Sequence, residues 1–496
     1  MKRSNVTRLA SLLLAGLLLL PTLAACAVEG DDPQDTQAGT DTQADTEAVT
    51  DPVDQAIHKL RGEVNWNGQD FGLLYVNDIG GYKEEVEAQA QFLGENSNAV
   101  INDAVFERNT LFQEYCNLKF TLLPVSNNAF STTMSNGIQT GTRDFYLCTQ
   151  SAGGTASSAL QGYLYNYLNL GIDYEQSWWD AGTLEFALDG RVFFMNGPFN
   201  IVDDDVTYFV GFNKKLQKEH QIPDLYQTVR NMDWTMEYLN AVISNLSSDN
   251  GDGAWDEKDT YGLTATSVIS TAFFYGAGLK YVDNSLEKDV PELILGDKLD
   301  RVTDVMDITR KVLHDNHSTH VGIGMEIFVN DRALFGFEVV NYLRVLNAQM
   351  TSEYGVLPVP KYDKAQEQYY SFSNAGVGTT LSIPTSTAQV DMDLFAKTLE
   401  TYCLLSQKLV KPAYYEVTLM TRNIQDIDSA EMLDIVFQHR IYDLAAYFGD
   451  LGLSGIFEEA ASGTDDTFSS KYASASKAFN KKVRNMLIKL QRNSNR

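Results

Sequence analysis

Twelve residues near the middle of the chain, SDNGDGAWDEKD from Ser248 to Asp259, place oxygen-bearing side chains at positions 1, 3, 5, 9 and 12 and a glycine at position 6. That is the spacing with which a loop wraps a calcium ion. Asn250, Asp252 and Asp256 offer side-chain oxygens, Ala254 a backbone carbonyl and Gly253 the sharp turn, while Ser248 and Asp259 stand at the two ends. Asp259 has a shorter arm than the usual glutamate and Ser248 carries no charge, which moves the expected affinity to the ~10⁻⁴–10⁻³ M range of extracellular modules. The competing reading is an Asx-rich turn without an ion. The loop joins a helical stretch ending near Leu246 to the apolar run TYGLTAT rather than two helices, so it is expected to pin a loop and not to act as a calcium sensor.

Other metal chemistry is poorly provided for. His314, His317 and His320 in HDNHSTH lack the i, i+4 spacing of a helical zinc pair and read as a polar turn. No CxxC or Cys/His metal spacing is present, and neither GxSxG nor HExxH, which removes serine hydrolase and zinc protease chemistry of those types. Cys116 is expected to begin one strand and Cys148 to end another, roughly 15–20 Å apart at ~3.3 Å per residue, so a disulfide between them is not expected.

The amino terminus supplies the compartment. Lys2, Arg3 and Arg8 precede the run LASLLLAGLLLLPTL, too short for a stable membrane span, and LAAC at Leu23–Cys26 follows. This resembles the lipobox of bacterial lipoproteins, which implies a signal peptide over 1–25 and a lipid-modified Cys26. The next stretch, Ala27–Asp54, holds nine acidic residues and no basic one, with almost no bulky apolar side chain, so residues 26–60 read as a solvated tether. The formal net charge of the chain is −28, which argues against nucleic acid and against anionic lipid as partners.

About 435 residues remain, too many for one ordinary core and suited to two lobes. DFGLLYV, NLKFTLLPV and RDFYLCTQSAGG read as strands. NDAVFERNTLFQEY between the first two reads as an amphipathic helix with Glu107 and Arg108 outward. Strand and helix alternate here as in a parallel sheet covered by helices. Thr235 is a plausible helix N-cap in MDWT, and RALFGFEVV, YGVLPVP and GVGTTLSIP are further short strands before a helical C-terminal section.

The order of GFNKKL at 211–216, WTMEYL at 234–239, NGDGAWDEKDTYGLT at 250–264, YGVLPVPKYDKAQEQYY at 354–370 and KPAYYE at 411–416 resembles the extracellular solute-binding proteins of ABC importers, in the sugar-binding branch similar to maltose-binding protein. The resemblance implies an α/β, two-lobe, periplasmic-binding-protein-like fold of type II with the ligand between lobes joined by crossing segments. Mapped onto this chain, lobe 1 comprises 61–208 and 326–358 and lobe 2 comprises 209–325 and 359–496. The crossings fall near Val206–Phe212 and Gly355–Pro360. The implied protein is a monomer on the extracellular face of the bacterial cytoplasmic membrane, held there by its lipid alone. It is not an enzyme, and it hands a carbohydrate to ABC permease subunits.

A sugar site needs flat apolar faces for the ring and planar amides or carboxylates for its hydroxyls. Trp178 and Trp179, adjacent in the polar stretch YEQSWWDAG, are candidates because two neighbouring rings cannot easily enter one core. Ligands of such sheets lie beyond the carboxyl ends of strands. That rule selects Asp78 and Tyr82 after the first strand, Thr149, Gln150 and Ser151 after the third, Asp205 at the first crossing, Glu338 after ALFGF, and Phe274 with Tyr275 in AFFYGAG. Two other classes share these features: a surface glycan-docking protein, and a lipid-anchored glycoside hydrolase with two carboxylates flanking the scissile bond.

Overall fold

The computed structural model describes residues 51–78, 92, 100–286, 288, 290–322, 324–419, 427–463 and 467–494. Cys26, the signal and most of the tether, and Tyr82 lie outside the described residues. Among the described residues no helix is long and apolar enough to cross a membrane.

Twelve strands are described: β1 (Gln69–Val76), β2 (Leu118–Val125), β3 (Leu147–Ser151), β4 (Phe194–Met195), β5 (Tyr208–Asn213), β6 (Tyr261–Ala265), β7 (Val282–Asp283), β8 (Glu292–Leu293), β9 (Thr319–Val321), β10 (Ala333–Val339), β11 (Tyr354–Leu357) and β12 (Thr379–Ser382). Ten of them form two five-stranded sheets, ordered β2-β1-β3-β12-β4 and β11-β5-β10-β6-β9, and β7 pairs with β8. In the first sheet β1 runs parallel to both β2 and β3, while β12 is antiparallel to β3 and β4. In the second sheet β10 is parallel to β6 and antiparallel to β5.

The two-residue period of a strand sets the cores. Phe71, Leu73 and Tyr75 of β1 enter one apolar cluster with Trp66, Phe112 and Tyr402. Leu74 and Val76, on the other face, enter a larger cluster that continues through the second sheet to the C-terminal helices. The expected helix after β1 runs Val100–Cys116, but Arg108 is fully buried on it, not outward. Its guanidinium lies 4.5 Å from the ring centroid of Tyr402 and donates to the Ser406 hydroxyl at 3.1 Å, contacts that sequence periodicity does not reveal. Thr235 does cap its helix, accepting from the Tyr238 N–H at 3.1 Å. Cys116, Cys148 and Cys403 are buried free thiols.

One boundary differs from expectation. The resemblance gives 326–358 to lobe 1, yet β10 and β11 pair with β5 in the second sheet, Phe335 opposite Phe212 and Val356 opposite Gly211. The chain returns to the first sheet only at β12, so 379–382 belongs with lobe 1 and not lobe 2, and the second crossing falls between β11 and β12 rather than at Gly355–Pro360. Two short apolar strands near a crossing fit either sheet by pattern; only the partner register assigns them.

Gly72, in the middle of β1, has no room for a side chain: a Cβ there would sit 1.8 Å from the backbone oxygen of Asp144. The strand and the loop leading into β3 touch through backbone, with Tyr146 N–H donating to the Gly72 carbonyl at 2.8 Å. Gly72→Ala must force the two apart, and is expected to cost about 3 kcal/mol in denaturant unfolding. An unchanged midpoint would show that this contact is not tight.

Candidate functional site

Three elements meet at one cavity. The helix Ala152–Leu160 starts at the carboxyl end of β3, and the helix Ile269–Gly276 follows the carboxyl end of β6 in the other sheet. Between them passes the segment 372–378 that leads back to β12. The cavity they enclose holds about 440 Å³ and is lined by Ser151 from the first sheet, Thr271, Phe274 and Tyr275 from the second, and Phe372 and Asn374 from the crossing segment, with Tyr447, Phe457 and Glu458 from the C-terminal section. It lies in the crevice where strand-end logic places ligands.

Phe274, Tyr275, Tyr281, Phe372, Tyr447 and Phe457 contribute rings to its walls. Behind Phe372, Tyr208 is sandwiched between Phe337 and Phe372, with centroids 5.0 and 4.9 Å away and planes within 16°. Phe372 continues to Tyr275 at 5.1 Å, and Phe274 stacks on Tyr281 at 4.7 Å. Polar groups are few and aimed. Asn374 donates to the Tyr208 hydroxyl at 3.0 Å and accepts from the Gly376 N–H at 3.0 Å. Glu458 accepts from the hydroxyls of Ser267 and Thr271, both at 3.1 Å. Among the described residues no lysine or arginine lines the cavity. Burial pushes the Tyr208 phenol up, so it stays neutral and can donate or accept.

The residues selected from sequence divide sharply. Ser151, Phe274 and Tyr275 line this cavity together. Thr149 and Gln150 are buried within β3, where the Gln150 amide donates to Ser158 at 2.9 Å. Asp78 is exposed and accepts from the Asn127 N–H at 2.5 Å, at the start of the helix Asn127–Thr140. Asp205 is buried and satisfied by Arg344 at 2.9 Å and the Tyr414 hydroxyl at 2.8 Å. Glu338 is half-buried at the end of β10, its carboxyl raised by burial and accepting from the Val339 N–H at 3.1 Å. Trp178 and Trp179 are buried in the lobe 1 core, where Trp179 meets Tyr174 at 5.1 Å and Phe199 at 6.1 Å. Their turn is folded inward against that core, so adjacency in a polar stretch did not expose either ring.

Phe372, Asn374, Tyr447 and Glu458 went unselected. None follows a strand of its own sheet, and the one available signal was SFSNAGVG, an aromatic–amide–glycine run between two strands.

No family model matches the sequence, and no curated protein matches it. Many solved structures share the fold. One is the galacto-N-biose/lacto-N-biose I-binding protein of the ABC transporter from Bifidobacterium longum, in complex with lacto-N-biose: 9% identity, 85% of this chain and 98% of that chain covered, TM-score 0.54. Another is the maltose/maltodextrin-binding domain MalE from Bdellovibrio bacteriovorus bound to maltotriose, at 13%, 84%, 100% and 0.50. A third is a cyclo/maltodextrin-binding protein complexed with maltotetraose, at 12%, 85%, 97% and 0.52. This chain has the two-lobe fold of the sugar-binding proteins of ABC transporters.

The segments that cross between the two sheets lie side by side, Thr207 bridging to Ser373 and Ser371 to Arg440. The Arg440 guanidinium sits among three carboxylates: Asp204 at 2.6 Å, Asp180 at 2.8 Å and Asp203 at 3.2 Å. The Tyr442 hydroxyl is 2.6 Å from Asp180 and 2.9 Å from the same Asp203 oxygen that faces Arg440. One hydroxyl hydrogen cannot serve two carboxylates. Below about pH 6 a proton on Asp203 lets the phenol donate to Asp180 and accept from Asp203. Burial accordingly pushes Asp203 up to about 6, with Asp180 and Asp204 adding to the rise and Arg440 opposing it.

The loop Ser248–Asp259 is organised by its own backbone. Buried Asp259 accepts from the N–H groups of Asn250 at 2.8 Å and Asp256 at 2.6 Å, and Asp249 accepts from Gly251 at 2.6 Å and Gly253 at 3.3 Å. Trp255 stacks on His317 at 4.4 Å, so the histidine cluster serves this loop as a packing surface. Among the described residues no three His, Cys, Asp or Glu side chains are grouped to hold a metal.

The titration of Asp203 makes a sign prediction. Its folded value of about 6 lies above the ordinary 3.8, so the folded state binds the proton more tightly and stability falls as pH rises from about 4 to about 6. Asp203→Asn, which mimics the protonated acid, should match the parent in melting temperature near pH 4 and exceed it by a constant margin above pH 6. A margin independent of pH would remove the proton from Asp203.

Proposed function

We propose that the chain is an extracellular solute-binding protein that captures a sugar or oligosaccharide between its lobes and delivers it to an ABC importer. The observation that carries this is the cavity between the two sheets, walled by stacked aromatic rings with a few fixed polar groups. Rings suit the C–H face of a pyranose, and Asn374, Ser151 and Glu458 suit its hydroxyls. The structural neighbours described above are binding proteins, which supports capture without catalysis. The lipobox-like LAAC supports anchoring through Cys26, with the acidic stretch as a tether.

Binding should raise the melting temperature by mass action, and titration calorimetry against a panel of mono- and oligosaccharides tests it. Phe372→Ala is expected to weaken the sugar about tenfold or more, because a stacked ring at the cleft floor is lost. Trp178→Ala is expected to lower stability and leave affinity nearly unchanged. Cleavage of the bound sugar by purified protein, or no response to any carbohydrate, would overturn the proposal.

We further propose that the loop Ser248–Asp259 takes calcium structurally. Asn250, Asp252, Asp256 and Asp259 provide a hard oxygen donor set, and an oxygen that accepts from an N–H keeps a lone pair for an ion. The side chains are not gathered around one point in this structure, so binding would have to draw Asp252 and Asp256 toward Asp259. Millimolar calcium should raise the melting temperature of the parent and not of Asp252→Ala, with sugar affinity the same in both. Equal melting with and without calcium would leave the loop an Asx-stabilised turn.

A further inference from the structure

The helix Phe468–Ser494 differs from the rest of the chain in charge. It carries seven Lys and Arg residues and no Asp or Glu, in a protein whose formal net charge is −28. Its buried side chains, Phe468, Tyr472, Phe479, Val483, Met486 and Leu490, recur every three or four residues and form one face. At 100° per residue the opposite face is centred on Lys477, Lys481, Arg484, Ile488 and Arg492, with Lys489 on its flank. Lys471 pairs with Glu459, and Lys482 donates to the Leu451 carbonyl at 2.9 Å. The other five cations are exposed, and none forms an ion pair among the described residues. From Lys477 to Arg492 the stripe is roughly 22 Å long at ~1.5 Å per residue.

We propose that this stripe docks the protein on an anionic phospholipid surface. Charge complementarity requires an anionic partner, and Ile488 selects among anionic partners. It is 40% exposed in the middle of the stripe, between Arg484 and Arg492. An apolar side chain flanked by cations fits a headgroup layer, which offers phosphate outside and hydrocarbon beneath, better than it fits a soluble polyanion. The acidic bulk of the chain does not cancel the attraction, because charges beyond about 8 Å are screened at physiological salt. Position adds a consequence. The helix packs on the helix Ile456–Ser462 and on the turn Gly449–Leu451, which supply Phe457, Glu458 and Gly449 to the cleft wall. A membrane bound to the stripe would therefore lie beside the cleft and restrict its orientation.

The test uses the chain expressed from Ala27 onward, without the apolar leader and without Cys26, so that neither can anchor it. Co-sedimentation is measured with phosphatidylcholine vesicles and with vesicles also containing phosphatidylglycerol. The chain should sediment only with the anionic vesicles and be released when salt is raised to about 0.5 M. Replacing Lys477, Lys481, Arg484, Lys489 and Arg492 by Gln should reduce vesicle binding at least tenfold, with melting temperature and sugar affinity unchanged. Ile488→Ser alone should weaken it by a smaller factor. Equal sedimentation of parent and five-residue variant, binding to neutral vesicles as strongly as to anionic ones, or binding of soluble polyphosphate without vesicle binding would each overturn the proposal. None of these outcomes bears on sugar capture, which is read from calorimetry.

Discussion

The contact between the crossing segments depends on how one guanidinium is compensated. Arg440, its side chain 10% exposed, sits against Asp180, Asp203 and Asp204, residues from lobe 1 and from the first crossing, while its own backbone pairs with Ser371 in the second crossing. Removing a charge from water costs several kcal/mol, recovered only where geometry and hydrogen bonds are complete. Here completeness needs Tyr442 and Ser373 as well, the latter donating to Asp203 at 2.7 Å. The cluster therefore specifies which segments lie together more than it adds stability. A purely apolar contact at this place would tolerate slippage of one crossing past another; a charge with fixed partners does not.

Most of the fold was legible from the sequence because it rests on local pattern. β1, β2 and β6 coincide with their apolar runs to within a residue or two, and the Thr235 cap follows from local hydrogen bonding. Pairing is a different matter. β10 and β11 were placed with the wrong sheet because a short apolar strand carries no mark of its partner. Arg108 shows the same limit at one residue. Helical spacing put it outside, while Tyr402 and Ser406, about three hundred positions later, made an interior place for it.

The site was half legible, and the division has a physical cause. Strand-end reasoning leads to the cavity where a helix follows a parallel strand, at Ser151 and at the pair Phe274–Tyr275, which line it. It overreaches one or two residues upstream, at Thr149 and Gln150, where alternation still buries side chains in the sheet. It cannot reach Phe372 or Asn374, which belong to a crossing whose place exists only after both sheets have formed. Asp205 looked like a ligand because it is an acid near a crossing, but Arg344 and Tyr414 already occupy both of its oxygens.

Cleft and crossing segments are one construction. Phe337, Tyr208, Phe372 and Tyr275 form a continuous run of ring contacts from β10, through the first strand after the crossing, to the cavity wall. Two members of that run flank the bridges between the crossings: Phe372 lies between Ser371 and Ser373, and Tyr208 follows Thr207, whose bridge is to Ser373. Tyr208 is further tied to Asn374, the amide of the cleft. Packed rings have few alternative arrangements, so a change in the angle between the sheets must shift the ring stack or break it. On the proposed function, a ligand seated on Phe372 and Tyr275 would contact residues tied to the crossing segments. Its binding energy would then differ between angles of the two sheets, which is the condition a ligand must meet to favour one of them.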